Sequence, residues 1–149
     1  MKTLQALGSG LVGACALTLL HETARRFIPD APRVDVLGMR AIAKSLRAVD
    51  QEPPPEDELF NITMAGDIVS NSLYYSLVGV GNRENVWVRG ALLGLGAGVG
   101  AVVLPEPLGL GSDTTKRTPA TQAMTVGWYL FGGLAAAAAF QLLSSDSDE

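Results

Sequence analysis

The sequence predicts an all-α integral membrane protein, a four-helix bundle with a short amphipathic cytoplasmic helix between its first two spans. Composition is the first observation behind this prediction: of 149 residues, 48% are hydrophobic and 17% are charged, against about 25% charged in soluble proteins. Charge distribution is the second, because residues 4–20, 86–104 and 123–143 carry only one charge, that of Arg89. The length fits a single membrane domain over residues 1–149.

The four predicted spans cover approximately residues 3–27, 55–81, 85–104 and 119–143. A span requires about 20 mainly apolar residues. The second span starts in the segment PPPEDEL, whose prolines and acids are typical of a first helical turn. The fourth starts at Thr118-Pro119, a capping residue followed by proline at the first helical position. The second span is acceptable only if its polar groups face protein rather than lipid.

The connection between the first two spans contains a predicted amphipathic helix over residues 34–49. Its apolar side chains recur at helical spacing, at Met39, Ile42, Leu46 and Val49. A basic stripe lies beside them, formed by Arg40, Lys44 and Arg47. Such a helix either lies on anionic lipid headgroups as a membrane-surface element or packs on the cytoplasmic end of the bundle. The sequence supports both interpretations equally.

The positions of the basic residues predict the orientation in the membrane. Eight of the 11 Lys and Arg residues lie in the two connections over residues 21–58 and 105–118. Because cytoplasmic connections carry the excess of Lys and Arg, we expect both connections in the cytoplasm and both termini outside. The last residues, 144–149, form an acidic tail. The overall pattern is typical of a multi-pass protein of a bacterial inner membrane.

Composition also argues against several functional classes. The formal net charge of −4 provides no basic surface for binding nucleic acid. A single cysteine, Cys15, leaves no intrachain disulfide and no cysteine-based metal cluster. Catalytic triads, paired catalytic carboxylates and phosphate-binding loops are absent by residue type and spacing. We therefore expect no enzymatic activity, no cofactor and no bound metal.

Small residues form faces along two of the predicted spans. The third span carries two such faces, one formed by Gly90, Gly94 and Gly98 and the other by Gly96 and Gly100. The first span offers a matching face at Gly10 and Ala14. Small residues at this spacing allow helix backbones to approach closely in a membrane. Two glycine faces on one helix predict packing both within the chain and with another subunit, as a homo-oligomer or in a larger membrane complex.

A carboxylate interrupts the second span. Asp67 lies about three turns past the start of this helix, and Asn71 shares its face at i+4. Burying a carboxylate in a membrane costs at least ~2.5–3.5 kcal/mol, so such a group is protonated or paired. His21, Glu22 and Arg25 close the first span at a similar depth. We expect a buried polar cluster of these five residues, with a direct contact from His21 or Arg25 to Asp67.

Two functions are compatible with this cluster. In the first, the cluster is an interhelical clasp in a non-enzymatic accessory or scaffolding protein that acts through helix–helix association. In the second, the chain is a small transporter or channel for protons, cations or a small solute, and His21, Asp67 and Asn71 form its site. A histidine titrates near neutral pH, which suits a proton relay. The sequence favours the accessory function and leaves transport as the alternative.

Overall fold

The computed structural model describes residues 2–145, and this part of the chain contains five α-helices and no β-strand. The helices are α1 (Lys2–Phe27), α2 (Val34–Arg47), α3 (Glu56–Ser76), α4 (Val86–Val103) and α5 (Pro119–Ser145). Two short 3-10 turns, Leu77–Gly79 and Arg83–Asn85, connect α3 to α4. The predicted all-α class is confirmed. Residues 146–149 of the predicted acidic tail lie outside the described residues, and positions 144 and 145 belong to α5 instead.

Within residues 2–145, three segments are long and apolar enough to cross a membrane: Lys2–Phe27, Arg83–Val103 and Pro119–Ser145. They correspond to the first, third and fourth predicted spans. The helix α3 is not in this group, because Asp67, Asn71 and an acidic first turn lower its hydropathy. The chain is therefore a helical protein with three candidate membrane-spanning segments.

Local sequence explains where the helices start. The amide of Thr121 donates a 3.0 Å hydrogen bond to the hydroxyl of Thr118, which caps the first turn of α5 ahead of Pro119. Pro55 precedes α3, whose first turn carries three acids, Glu56, Asp57 and Glu58. Negative charge at this position interacts favourably with the positive end of the helix dipole. Both starts agree with the sequence prediction to within one residue.

The four long helices are arranged with an open seam. The helix α1 packs against α3 on one side and α5 on the other, and α5 packs against α4, whereas α3 and α4 touch each other little. The hydroxyl of Tyr74 on α3 bridges the seam by donating a 2.9 Å hydrogen bond to the carbonyl oxygen of Leu93 on α4. The gap between α3 and α4 is the feature that creates the candidate site.

Glycines bring the helix pairs into backbone contact. An added Cβ at Gly94 would lie 2.6 Å from the backbone of Leu130 on α5, and one at Gly98 would lie 2.7 Å from Val126. The prediction that the face of Gly10 would meet these α4 glycines is wrong, because Gly10 packs against the backbone of α3 at Ser72. The adjacent face of α1, at Gly13, lies against α5. Ala14, also fully buried, belongs to this α1 interior.

Both ends of the described chain lie at the same end of the helices. The amide Nε2 of Gln5 donates a 2.9 Å hydrogen bond to the carbonyl oxygen of Leu143. At the opposite end, α2 lies beside the connection between α4 and α5, where the amide of Arg33 donates a 2.8 Å hydrogen bond to the carbonyl oxygen of Thr114. The basic connections 21–58 and 105–118 therefore share one end of the molecule.

Candidate functional site

Asp67 lies on the side of α3 that faces the seam. Its Oδ1 accepts a 3.0 Å hydrogen bond from Nδ2 of Asn71, one turn further along the same helix. Within residues 2–145, no Lys, Arg or His nitrogen makes an ion pair with this carboxylate. Asp67 and Asn71 do share a face, as the spacing predicts, and they form a polar pair without a countercharge.

The seam forms an open groove of about 630 Å³ between α3 and α4. This volume is within the range of about 300–1,000 Å³ that is usual for small-molecule sites. Its walls are mainly apolar and include Leu37, Ala97, Ala101 and Leu104. The polar side chains in the wall are Asp67, Ser70, Asn71 and Tyr74 from α3 and Tyr129 from α5. One end of the groove is closed by α2 and by residues 104–110.

The second glycine face of α4 lies in this groove. An added Cβ at Gly96 would meet only the Tyr74 hydroxyl, at 3.4 Å, and one at Gly100 would meet only the side chain of Leu104, at 3.6 Å. No neighbouring backbone presses on either glycine, in contrast to Gly94 on the opposite face. The two faces predicted from sequence are therefore distinct, since one is used inside the chain and the other borders the groove.

His21 lies deep in the molecule, with 3% of its surface exposed. Neither ring nitrogen has a hydrogen-bond partner within the described part of the chain. Its ring packs edge-on against Trp128, at 5.1 Å between centroids, and Tyr129, at 5.6 Å. The predicted direct contact between His21 and Asp67 is therefore not formed.

A small enclosed cavity nevertheless brings these two residues together. It has a volume of about 10 Å³ and is lined by α1, α2 and α3. His21 and Thr18 contribute from α1, and Asp67 contributes from α3. Because Asp67 also lines the groove, its carboxylate stands between the enclosed cavity and the open groove.

Arg25 takes part in a different polar network from the one predicted. It donates hydrogen bonds of 2.9 and 2.7 Å to the two carboxylate oxygens of Glu22, and it lies 3.9 Å from Asp35. The prediction of an Arg25–Asp67 contact is wrong, because Arg25 lies one turn nearer the helix end and faces α2. Glu22 is half-buried within this network rather than deep in the span.

Asp35 is the buried member of this network, and sequence reasoning missed it. The guanidinium of Arg33 donates hydrogen bonds of 2.9 and 2.7 Å to its two carboxylate oxygens. Burial alone raises the pKa of Asp35, but the hydrogen bonds and positive charge of Arg33, with help from Arg25, bring it below its ordinary value. The available signal was the pair Arg33-x-Asp35 at the start of an amphipathic helix.

The basic stripe of α2 is largely engaged by the chain itself. Arg40 donates hydrogen bonds of 2.7 and 3.1 Å to the carboxylate of Asp113, and this ion pair lowers the pKa of Asp113. The ammonium of Lys44 donates to the carbonyl oxygen of Leu108. Arg47 is exposed. These contacts favour the interpretation in which α2 packs on the end of the helices, and a role at the lipid surface stays a prediction.

In the part of the chain that the structure describes, the groove wall carries the carboxylate of Asp67 and otherwise uncharged side chains. Within residues 2–145, no three His, Cys, Asp or Glu side chains are grouped so that they could hold a metal ion. One uncompensated carboxylate beside an apolar groove remains, with a histidine behind it.

Comparison with known protein families, curated proteins and solved structures finds no match to this chain.

Proposed function

We propose that this chain is a four-span protein of a bacterial inner membrane, with both termini outside, and that it carries protons or small cations by way of Asp67. The single observation that carries this proposal is that the Asp67 carboxylate faces an open, mainly apolar groove without a cationic partner. The sequence alone favours an accessory function, but the groove leaves the Asp67 carboxylate accessible to ions, and this accessibility supports transport.

The distribution of side chains on α3 supports its assignment as a fourth span. Large apolar side chains project outward from this helix and are exposed, namely Ile62, Val69 and Leu73. Its polar pair, Asp67 and Asn71, instead lines the groove. Such a helix can place its apolar side chains in lipid and its polar groups in a cavity inside the protein. Low mean hydropathy is therefore compatible with α3 crossing the bilayer.

Because Asp67 has no countercharge within the described part of the protein, its carboxylate can be neutralised in two ways, by a bound proton or by a bound cation. An ionised carboxylate is costly in a low-dielectric site, so a bound proton or a bound cation stabilises it. Proton and cation therefore compete for the same oxygens. Exchange of one for the other at a single carboxylate is the simplest chemistry that couples proton movement to cation movement.

Association with another protein is the second candidate function, and Gly96 and Gly100 favour it. The other glycines predicted to mediate association are used within the chain, since Gly90, Gly94 and Gly98 lie against α5. The groove face of α4, at Gly96 and Gly100, stays open to a small-residue contact with a helix from outside. In this function the same groove would hold a partner helix, and Asp67 would hydrogen-bond to it.

Flux measurements in liposomes test the proposal. We expect the purified wild-type protein to conduct protons or monovalent cations, and Asp67→Asn to lower this flux at least tenfold, because an amide cannot exchange a proton or balance a cation. Asp57→Asn is the matched control, since it makes the same change on the same helix at an exposed position. Absence of flux from folded, inserted wild-type protein would overturn transport.

Cysteine cross-linking tests the second candidate. In a Cys15→Ser background, the Gly96→Cys variant should form a disulfide dimer, or capture a co-purified partner, only if a helix occupies the groove. Phe131→Cys lies at a similar depth on an exposed part of α5, away from the groove, and controls for random collision. A cross-link specific to position 96, together with no flux, would favour association over transport.

A further inference from the structure

Two buried polar groups near Asp67 have no role in the groove. Both ring nitrogens of His21 and the hydroxyl of Thr18 are inaccessible and lack a hydrogen-bond partner within residues 2–145. The large majority of buried side-chain polar atoms in proteins are hydrogen-bonded, to protein or to ordered water. His21 and Thr18 lie one turn apart on α1, and both line the enclosed cavity. Their shared surroundings indicate a common partner for the Thr18 hydroxyl and one of the two ring nitrogens.

The cavity has the size and lining for that partner. Its volume of about 10 Å³ is the room available for the centre of a water molecule, and about 10–15 Å³ is the least that admits one water. A buried water typically makes two to four hydrogen bonds. His21 and Thr18 on α1 and the carboxylate of Asp67 on α3 offer three.

We propose that this cavity is a binding site for one water molecule, hydrogen-bonded to His21, Thr18 and Asp67, and that the water joins His21 to Asp67 as a proton path. The water site does not depend on the proposed function, but the use of this path in transport rests on it. In one transfer, the His21 imidazolium gives a proton to the water oxygen while the water gives one of its own protons to the Asp67 carboxylate. Neutral imidazole, water and neutral carboxylic acid remain, so charge and atoms balance.

The groups around His21 point to Asp67 as the proton acceptor. Three carboxylates line the cavity, one from each helix, and they are Glu22 on α1, Asp35 on α2 and Asp67 on α3. Arginines already neutralise the first two, because Arg25 holds Glu22 at 2.7 Å and Arg33 holds Asp35 at 2.7 Å.

The fourth neighbour, α5, contributes the uncharged rings of Trp128 and Tyr129. Asp67 is therefore the cavity carboxylate, within the described chain, whose charge is left for a proton to neutralise. Since it also lines the groove, a proton received from His21 reaches the binding face without crossing an apolar layer. Val34 is the other residue that separates the cavity from the groove.

Nitrogen NMR of the imidazole tests this inference directly. The chain has one histidine, so protein labelled with ring-¹⁵N histidine in lipid nanodiscs gives the signals of His21 alone. We expect a cross-peak between a ring N–H proton and a long-lived water. We also expect the ring ¹⁵N shifts to show two inflections with pH in the wild type and one in Asp67→Asn, because the second reports the carboxyl group.

Two variants at Thr18 separate the water from the rest of the site. Thr18→Ile keeps the β-branched shape and places carbon where the hydroxyl and water lie, so the cross-peak should disappear. Thr18→Val removes only the hydroxyl and should weaken the cross-peak, which keeps the test available if the isoleucine variant does not fold. Thr23→Ile is the control, because Thr23 is exposed on the same helix and lines neither the cavity nor the groove, and it should retain the wild-type cross-peak.

The outcomes distinguish this inference from the proposed function. Absence of the water cross-peak in folded wild-type protein, or a cross-peak that Thr18→Ile leaves unchanged, would overturn the water site even if flux depends on Asp67. A cross-peak with two coupled inflections would support the water site even if no flux is found. Flux that falls in both Asp67→Asn and Thr18→Ile, but not in Thr23→Ile, would support both.

Discussion

The hydroxyl of Tyr75 donates a 2.8 Å hydrogen bond to the backbone carbonyl oxygen of Tyr129. Tyr75 is completely buried, and its ring covers Gly132 on α5. The ring of the preceding residue, Tyr74, lies 5.6 Å from that of Tyr75 between centroids, and its hydroxyl bonds to α4 at Leu93. Two consecutive tyrosines therefore tie α3 to both α4 and α5, and the bond from Tyr74 joins the two helices that border the groove.

Removal of the Tyr75 hydroxyl should destabilise the fold. Interhelical hydrogen bonds in membrane proteins contribute about 0.6 kcal/mol on average and at most about 1.7, and we expect Tyr75→Phe to lower the free energy of unfolding by an amount in this range. Tyr75→Ala should cost more, about 3–5 kcal/mol, because it leaves a cavity against Gly132. Reversible unfolding in mixed micelles measures both. Equal effects of the two substitutions would contradict the packing role of the ring.

The two glycine faces of α4 should respond differently to the same substitution. Gly94→Ala places a methyl group 2.6 Å from the backbone of Leu130, and we expect it to push α4 away from α5 and lower the thermal midpoint clearly. Gly100→Ala meets only a side-chain atom at 3.6 Å. Since alanine is the better helix former by about 1 kcal/mol, this change should be neutral or stabilising. Thermal unfolding of the two variants in one detergent provides the comparison, and a similar loss in both would contradict it.

Much of the fold could be predicted because its signals are local. Apolar runs and the capping pair Thr118-Pro119 give the limits of α5 to within two residues. The packing partner of each helix was harder to predict, because composition alone allows any small-residue face to pack against any other. The small-residue pattern matches the face at Gly10 to the glycines of α4, whereas in the structure this face packs against α3 at Ser72. That choice depends on the whole packing arrangement, which no local pattern encodes.

The candidate site was predicted in part for the same reason. Asp67 and Asn71 lie one turn apart on one helix, so their pairing follows from spacing alone. The surroundings of Arg25 depend on the return of α2 over the end of α1, which brings Asp35 within 3.9 Å. Residue spacing alone does not show that Asp35 lies nearer to Arg25 than Asp67 does, because this depends on the position of α2. The groove itself arises from a gap between helices, a feature that residue patterns do not report.

Stability should depend on pH through Asp35. Its pKa is below the ordinary value in the folded state because Arg33 favours the ionised form over the effect of burial. A lowered folded-state pKa adds stability above the ordinary aspartate value of about 3.9, and this stability is lost as the pH falls through the folded-state value. We therefore expect the thermal midpoint to be level near neutral pH and to fall below about pH 4.

The Asp35→Asn variant tests the origin of this dependence. It should start from a lower midpoint at pH 7, because it leaves Arg33 without its partner, and it should lose less stability on acidification than the wild type. Asp113→Asn is the control, since its ion pair with Arg40 is exposed and such pairs contribute little. A wild-type acid slope that Asp35→Asn leaves unchanged would assign the dependence to other groups.

Fusion reporters at the two termini test the orientation. The structure places both ends of the described chain together, through Gln5 and Leu143, so reporters at the two termini should give the same answer. The excess of basic residues at the α2 end predicts that this answer is outside the cytoplasm. Two cytoplasmic signals would overturn the orientation and leave the fold intact. Signals on opposite sides would contradict the assignment of α3 as a span, because an even number of crossings keeps the two termini on one side.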